Sequence, residues 1–436
     1  MEILIKIAQL LLSLSILVVF HELGHFTFAK IFKTRVEKFY LFFNPWFSLF
    51  KTKWGETEYG IGWLPLGGYV KISGMIDESM DKEQLEKPAE PWEFRSKPSW
   101  QRLLIMIGGV LVNIILAFAI YAMMLSVWGR EYLPTENVKF GITVDSLGIE
   151  LGLRNGDKII SVGNKPVKEF SRIIPELILN DPKTIQIERD GQIVEINITK
   201  EQEKKIIKYQ KPFFEFRFKF IVGGFPKNST AQKAGLMIND KIVGINDSTV
   251  QFFDEFKSLL SNYKNQEITL NVIRNGNKQN IIVPVSNEGL IGFGPIIDTE
   301  NNLELKKEKY SFFSAIPAGI NMGYNAVGDQ LKQLKLIPAH YDSLGGFIAI
   351  GNIFPAEWDW QRFWALTAML SIMLGVLNLL PIPALDGGHV LFLLYEIISG
   401  RKPSDKFLEY AQIVGMVLLF SLLIYANGND IIKLFQ

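Results

Sequence analysis

Three kinds of hydrophobic pattern divide the chain. Long apolar runs occupy residues 1–30, 103–128, 363–398 and 407–425, each long enough to cross a bilayer. Residues 130–300 lose these runs and alternate apolar with polar, as in Thr184-Ile185-Gln186-Ile187-Glu188 and Ile268-Thr269-Leu270-Asn271-Val272, which is strand periodicity. Residues 310–336 follow a helical period, apolar on one face with Gln, Lys and Asp opposite, and predict a helix lying on the outer membrane surface. The third apolar run exceeds the need of one span and is interrupted by Pro381 and Pro383. The pattern predicts four transmembrane helices with a strand-rich insertion between the second and third.

That insertion repeats itself. Gly152-Leu153-Arg154-Asn155-Gly156-Asp157-Lys158-Ile159-Ile160-Ser161-Val162 matches Gly235-Leu236-Met237-Ile238-Asn239-Asp240-Lys241-Ile242-Val243-Gly244-Ile245 in pattern and register. In each copy a turn at Asn155-Gly156 or Asn239-Asp240 leads to a strand closed by a second turn, Gly163-Asn164 or Asn246-Asp247. An amphipathic helix (170–179; 252–260) and a strand follow, with Asp190-Gly191 and Asn275-Gly276 as hairpin turns. The expected domains are an N-terminal membrane half at 1–129, the copies at 130–208 and 209–300, and a C-terminal half at 301–436.

Composition narrows the classes. A net charge of +1 over 436 residues speaks against a nucleic-acid partner, while 48% hydrophobic residues fit a chain with the lipid bilayer as its solvent. With zero cysteines, disulfides, thiolate catalysis and Cys-ligated zinc are excluded. Residues 1–30 lack a basic leader and a small-residue cleavage site, so they predict a retained span. Lys30, Lys33, Arg35 and Lys38 follow that span, Arg95, Lys97 and Arg102 precede the second, and Arg401, Lys402 and Lys406 join the third to the fourth. By the positive-inside rule these connections are cytoplasmic, which puts the repeats and both termini outside.

Chemistry enters at Phe20-His21-Glu22-Leu23-Gly24-His25, two imidazoles and a carboxylate within an apolar span. On a helix, His21 and His25 share one face and suit tetrahedral zinc, while Glu22 can reach a metal-bound water. Ionisable groups inside a span are costly, so this cluster is a functional candidate. A third ligand is sought in Asn378-Leu379-Leu380-Pro381-Ile382-Pro383-Ala384-Leu385-Asp386-Gly387-Gly388-His389, where the prolines free backbone groups that must line a cavity or pack on protein. Asp386 heads a new helix there and is either the ligand or a helix N-cap; His389 is the competing ligand.

The repeats resemble PDZ domains, most closely from Ala234 to Asp247 in the second copy. The resemblance makes Gly223-Gly224-Phe225 a candidate loop for receiving peptide C-termini by strand addition, while the first copy has Phe140-Gly141-Ile142 at that place. The two motifs together with the inserted repeats resemble the site-2 protease family of intramembrane zinc metalloproteases, in particular its bacterial sigma-E-regulating group, over essentially the whole chain. The resemblance implies Zn2+ held by His21, His25 and Asp386, Glu22 as general base, and Asn378 in substrate positioning. Gly109-Val110-Leu111-Val112-Asn113 is similar to the family's G-P-x-x-N with Val110 in place of proline, and makes Asn113 a second candidate substrate contact. The segment from Gly60 to Lys71, with Gly67 and Gly68, is similar to the family's membrane-associated β-loop; Leu344-Gly345-Gly346-Phe347 departs from the family's S-G-P.

The fold expected is thus a polytopic α-helical membrane protein with a β-loop and two inserted PDZ-like α/β domains, in a bacterial inner membrane with those domains periplasmic. The implied activity is endoproteolysis of pre-trimmed single-span transmembrane substrates such as anti-sigma factors or remnant signal peptides. A PDZ scaffold with a vestigial metal site and an ordinary zincin acting on soluble peptides are the alternatives. A scaffold has no reason to keep three ligands and a base in hydrocarbon, and a zincin for soluble peptides has none to embed its motif there.

Overall fold

The computed structural model describes residues 1–65, 67–75, 88–209, 211–298, 303–336 and 345–435. Leu66 of the β-loop segment and Leu344 lie outside them. The chain forms two compact units, residues 1–129 with 309–436, and residues 130–308.

In the first unit the helices are α1 (Glu2–Ile31), α2 (Ser99–Val127), α3 (Phe312–Leu334), α4 (Phe347–Ile353), α5 (Trp360–Asn378), α6 (Asp386–Ser399) and α7 (Asp405–Leu434). Of these, α1, α2, α5 and α7 are long and apolar enough to cross a membrane. Hydrocarbon gives apolar helices no reason to associate, so small residues and buried hydroxyls do the work. A Cβ on Gly24 of α1 would lie 2.2 Å from the Gly108 carbonyl oxygen of α2, so only glycine permits this approach. Thr367 of α5 donates to Ser13 of α1 at 3.0 Å, and Ser371 donates to the Asn113 carbonyl of α2 at 2.7 Å. Arg102 of α2 and Glu396 of α6, both largely buried, form an ion pair that neutralises each other's charge.

The amphipathic helix expected from residues 310–336 is α3. Its buried stripe is Ala315, Gly319 and Gly323, and the two glycines admit Ala122 and Phe118 of α2. Phe312, Ile316, Ile320 and Tyr324 form an exposed apolar row at four-residue spacing. The departure at Gly345-Gly346-Phe347 is where α7 caps α4: Asp430 accepts from the backbone N–H of Gly346 and Ala349, both at 2.9 Å.

Between α1 and α2 lies a sheet of β1 (Val36–Leu41), β2 (Phe43–Trp54), β3 (Thr57–Leu64) and β4 (Tyr69–Ile72), ordered β2-β3-β1-β4. The rings of Tyr40 on β1 and Tyr69 on β4 stack at 5.3 Å, and Gly60 makes room for Tyr40, whose ring a Cβ would approach to 2.2 Å. One edge, β2, exposes Trp46, Phe47, Phe50 and Trp54. The other edge, β4, lies beside α1: a Cβ on Gly68 just before it would stand 2.6 Å from Val18 and 3.3 Å from the Glu22 side chain.

The second unit contains two modules with matching internal detail. The first has a sheet ordered Gln192–Asn197, Thr184–Arg189, Lys158–Val162, Lys165–Pro166; the second has Ser248–Thr249, Lys241–Ile245, Glu267–Arg274, Asn277–Pro284. Each packs an amphipathic helix, Ile173–Leu179 or Phe253–Leu260, onto its own apolar core, and the first adds Lys200–Tyr209 through Ile206. In both, a buried aspartate ties the turn to the sheet: Arg189 donates to both Asp157 oxygens at 2.8 and 2.7 Å, and Arg274 to both Asp240 oxygens at 2.7 and 2.6 Å. Each arginine also donates to a turn carbonyl, Gly152 or Gly235, at 2.8 Å. Asp240 is buried while Arg274 reaches solvent, so Asp240→Ala loses charge-assisted hydrogen bonds without stranding a buried charge and should destabilise the second module by about 2 kcal/mol. Limited proteolysis of the full-length protein should then open that module at lower temperature than the first; equal resistance would show the pair to be dispensable.

Gly223 and Gly224 do not form the expected loop. They end the strand Phe220–Gly224, in which Gly224 pairs with Gly294 and Val222 with Pro295 of Gly294–Ile297. On its other side Val222 is bonded to Asn239 and Asp240, and Phe225 packs against the module's core. A doubly flanked strand offers no row of free N–H groups to a peptide.

Candidate active site

The site is assembled at a break in the third apolar run. Helix α5 stops at Asn378, and a turn containing Pro381 and Pro383 separates it from α6. Ala384 takes the left-handed conformation, φ +84°. Gly387 and Gly388 let the first turn of α6 fold back on this segment, since a Cβ on them would meet the Leu380 and Ile382 carbonyl oxygens at 2.2 and 2.6 Å. Asp386 is the first residue of α6, and the N-cap position falls to Leu385, whose side chain caps nothing. The carboxylate of Asp386 is turned to the histidines instead.

His21 and His25 present their Nε2 atoms 3.3 Å apart, and Asp386 Oδ2 lies 3.2 Å from the first and 3.4 Å from the second. Ligand atoms about 2.0–2.1 Å from a tetrahedral zinc stand about 3.3 Å from one another, which is this spacing. Asp386 Oδ2 is buried without a hydrogen-bond donor, as an atom awaiting a cation would be. Two neutral nitrogens and one carboxylate are a donor set for zinc, and among the described residues these three form the one such cluster.

The surroundings orient both rings. His25 Nδ1–H donates to the Ile105 carbonyl of α2 at 2.9 Å, leaving Nε2 as a lone pair facing the centre. His21 Nδ1 faces the Asn113 amide, Nδ2 at 3.2 Å, while Asn113 Oδ1 has no donor. With the amide turned over, His21 Nδ1–H donates to Asn113 Oδ1. Asn113 is fully buried against His21 and does not reach the cavity. Gly109 forms the floor, because a Cβ there would come within 2.4 Å of His25 Nε2. Gly109 opens the stretch that is similar to the family's G-P-x-x-N, but its place beneath the imidazoles was not part of that reading.

The cluster opens into a cavity of about 560 Å³. Glu22, nearly buried, lines it with Gly67, Gly68, Asn378 and all four residues of β4. Asn378 Nδ2 lies 3.3 Å from His21 Nε2. His389 also lines the cavity and stands outside the three-residue cluster. Lys38 and Gln412 are wall residues that sequence reasoning missed.

Residues 9–422 match the family described as peptidase family M50. The chain belongs to this family, the site-2 proteases, whose members are zinc-dependent peptidases. It is 28% identical to the regulator of sigma E protease of Haemophilus influenzae, with all of both chains covered. It is likewise 28% identical to protease RseP of Yersinia pestis, again over the full length of each. The protein is a zinc metalloprotease of regulated intramembrane proteolysis, built with membrane-spanning helices as an inner-membrane protein.

Proposed function

We propose that this protease cuts within the transmembrane segment of single-span substrates already trimmed on their outer side. His21, His25 and Asp386 hold the zinc and Glu22 is the general base. The observation that carries this reading is the convergence of three ligand atoms from two apolar helices beside a buried carboxylate. Zinc, when bound, polarises the scissile carbonyl and acidifies the attacking water. Glu22 takes that water's proton and delivers it to the leaving nitrogen. Asn378 donates a hydrogen bond to the substrate carbonyl, and Asn113 holds the His21 ring. A helix must lose its internal hydrogen bonds before it can be cut; β4, paired on one edge with β1, offers the opposite edge to the unwound chain. The direct test is cleavage of a model transmembrane substrate by purified protein in detergent. Cutting of soluble casein in preference to it would replace this reading with that of an ordinary zincin.

The basic clusters support an orientation with the β1–β4 sheet cytoplasmic and residues 130–308 and both termini periplasmic. The absence of native cysteines makes this measurable. A cysteine at Glu90 should be shielded from an impermeant thiol reagent in intact cells and one at Lys204 should react; the opposite result inverts the topology.

The two modules are read as PDZ-like domains that screen substrates by the size of their outer portion, because the chain inserts them between the second and third spans. In the second module the peptide-receiving edge is Gly294–Ile297, preceded by Gly292-Phe293, since its partner strand is already flanked on both sides. Gly235 has φ +96°, so Gly235→Asp strains the core turn. That variant should cleave untrimmed substrate while still cleaving the trimmed form. If it inserts, binds zinc and still rejects untrimmed substrate, the modules dock partners rather than screen them.

A further inference from the structure

We propose that Gln412 on α7 is a positioning residue of the metal centre, holding the Pro383-Ala384 turn in the conformation that delivers Asp386 to the histidines. The proposal rests on the reading of Asp386 as third ligand. Most of α7 is exposed, yet Gln412 is only 5% exposed. A buried amide in an apolar helix is costly unless its polar atoms are bonded. Gln412 Oε1 accepts from the Ala384 backbone N–H at 3.2 Å, and the side chain lines the same cavity as Glu22 and Asp386.

The residue so held is the strained one. Ala384 has φ +84°, a conformation that a residue with a Cβ keeps only where its surroundings over-determine it. Asp386 follows two residues later. One helical turn along α7, Gly415 meets the preceding residue of the turn: a Cβ there would stand 1.5 Å from the Pro383 carbonyl oxygen. Helix α7 therefore grips the turn at two successive residues, Pro383 by close contact and Ala384 by a hydrogen bond. Pro383 has no N–H of its own, which leaves the Ala384 N–H as the donor that can register the turn on α7. A side chain that only filled space at Gln412 would need neither the acceptor nor the strained alanine.

The test uses full-length protein in detergent micelles and reads zinc transfer to a competing chelator alongside kcat and KM on a transmembrane substrate. Gln412→Met keeps the volume and removes the acceptor; it should speed zinc loss about 10-fold and lower kcat with little change in KM. Adding Ala384→Gly to that variant should bring the rate back toward the parent value, because glycine adopts φ +84° without help. Parent-like zinc retention in Gln412→Met, or no restoration by Ala384→Gly, overturns the proposal. Should Gln412→Met fail to insert, Gln412→Asn, shorter by one methylene, takes its place. Asp386→Ala separates the two levels: zinc retained there sinks the ligand reading itself, whereas zinc lost there and unaffected by Gln412→Met sinks only the role of Gln412.

Discussion

Glu22→Gln leaves the zinc content of the purified protein near that of the parent and lowers cleavage of a transmembrane substrate by at least about 10²-fold. The two halves of this expectation come from different observations. Glu22 sits beside the metal cluster in the cavity wall but contributes none of its three converging atoms, so the donor set is untouched. Glutamine has the same shape and reach, so the packing of Gly68 against this side chain survives. What the amide lacks is a site that accepts a proton from water at neutral pH. Proton transfer in the transition state is then lost while substrate still binds, and the fall should lie in kcat rather than KM. Turnover within a few-fold of the parent would remove Glu22 as base, and His389, the further imidazole in the same wall, would be the next residue to replace.

The sequence made some levels of this protein readable and left others closed. Four apolar runs and one alternating insertion are local patterns, and each spans enough residues to be read without knowing its neighbours. The same holds for His21 and His25, whose four-residue spacing on a helix is itself the geometry of the pair. Asp386 was readable because prolines inside an apolar run demand an explanation. By contrast, the supports of the site are long-range. Gly109 beneath the imidazoles, the Ile105 carbonyl on His25 and Gln412 on the Ala384 turn act across helix interfaces, and a helix-facing glycine or a lone glutamine carries no period that points to its partner. The arginines that pair with Asp157 and Asp240 were hidden likewise, since the repeat motif contains the aspartate but ends before its partner strand. Gly223 and Gly224 misled for the opposite reason: two glycines before an aromatic suggest a loop, and only the pairing with Gly294–Ile297 identifies them as strand.

Replacing His21, His25 or Asp386 with alanine should weaken zinc binding by well over about 100-fold each, beyond the about 10–100-fold that loss of a supporting partner costs. The cluster has three protein donors, and tetrahedral zinc leaves the fourth position to water or substrate. Removing one donor leaves two protein bonds to a metal that must still shed most of its hydration to enter a cavity walled by apolar helices. For Asp386 there is an added electrostatic loss, because its carboxylate is the one anion among the three ligand atoms and compensates the dication in a poorly polarisable setting. Asn113→Leu provides the graded comparison: it removes the buried amide beside His21 Nδ1 but no ligand, so zinc should bind about 10-fold more weakly and cleavage should fall in parallel. His389→Ala should keep its zinc. Metal content by mass spectrometry of protein dialysed against a weak chelator orders the five variants. A near-stoichiometric metal in Asp386→Ala, together with its loss in His389→Ala, would exchange the two residues, and the turn held by α7 would then serve the helix start rather than the metal.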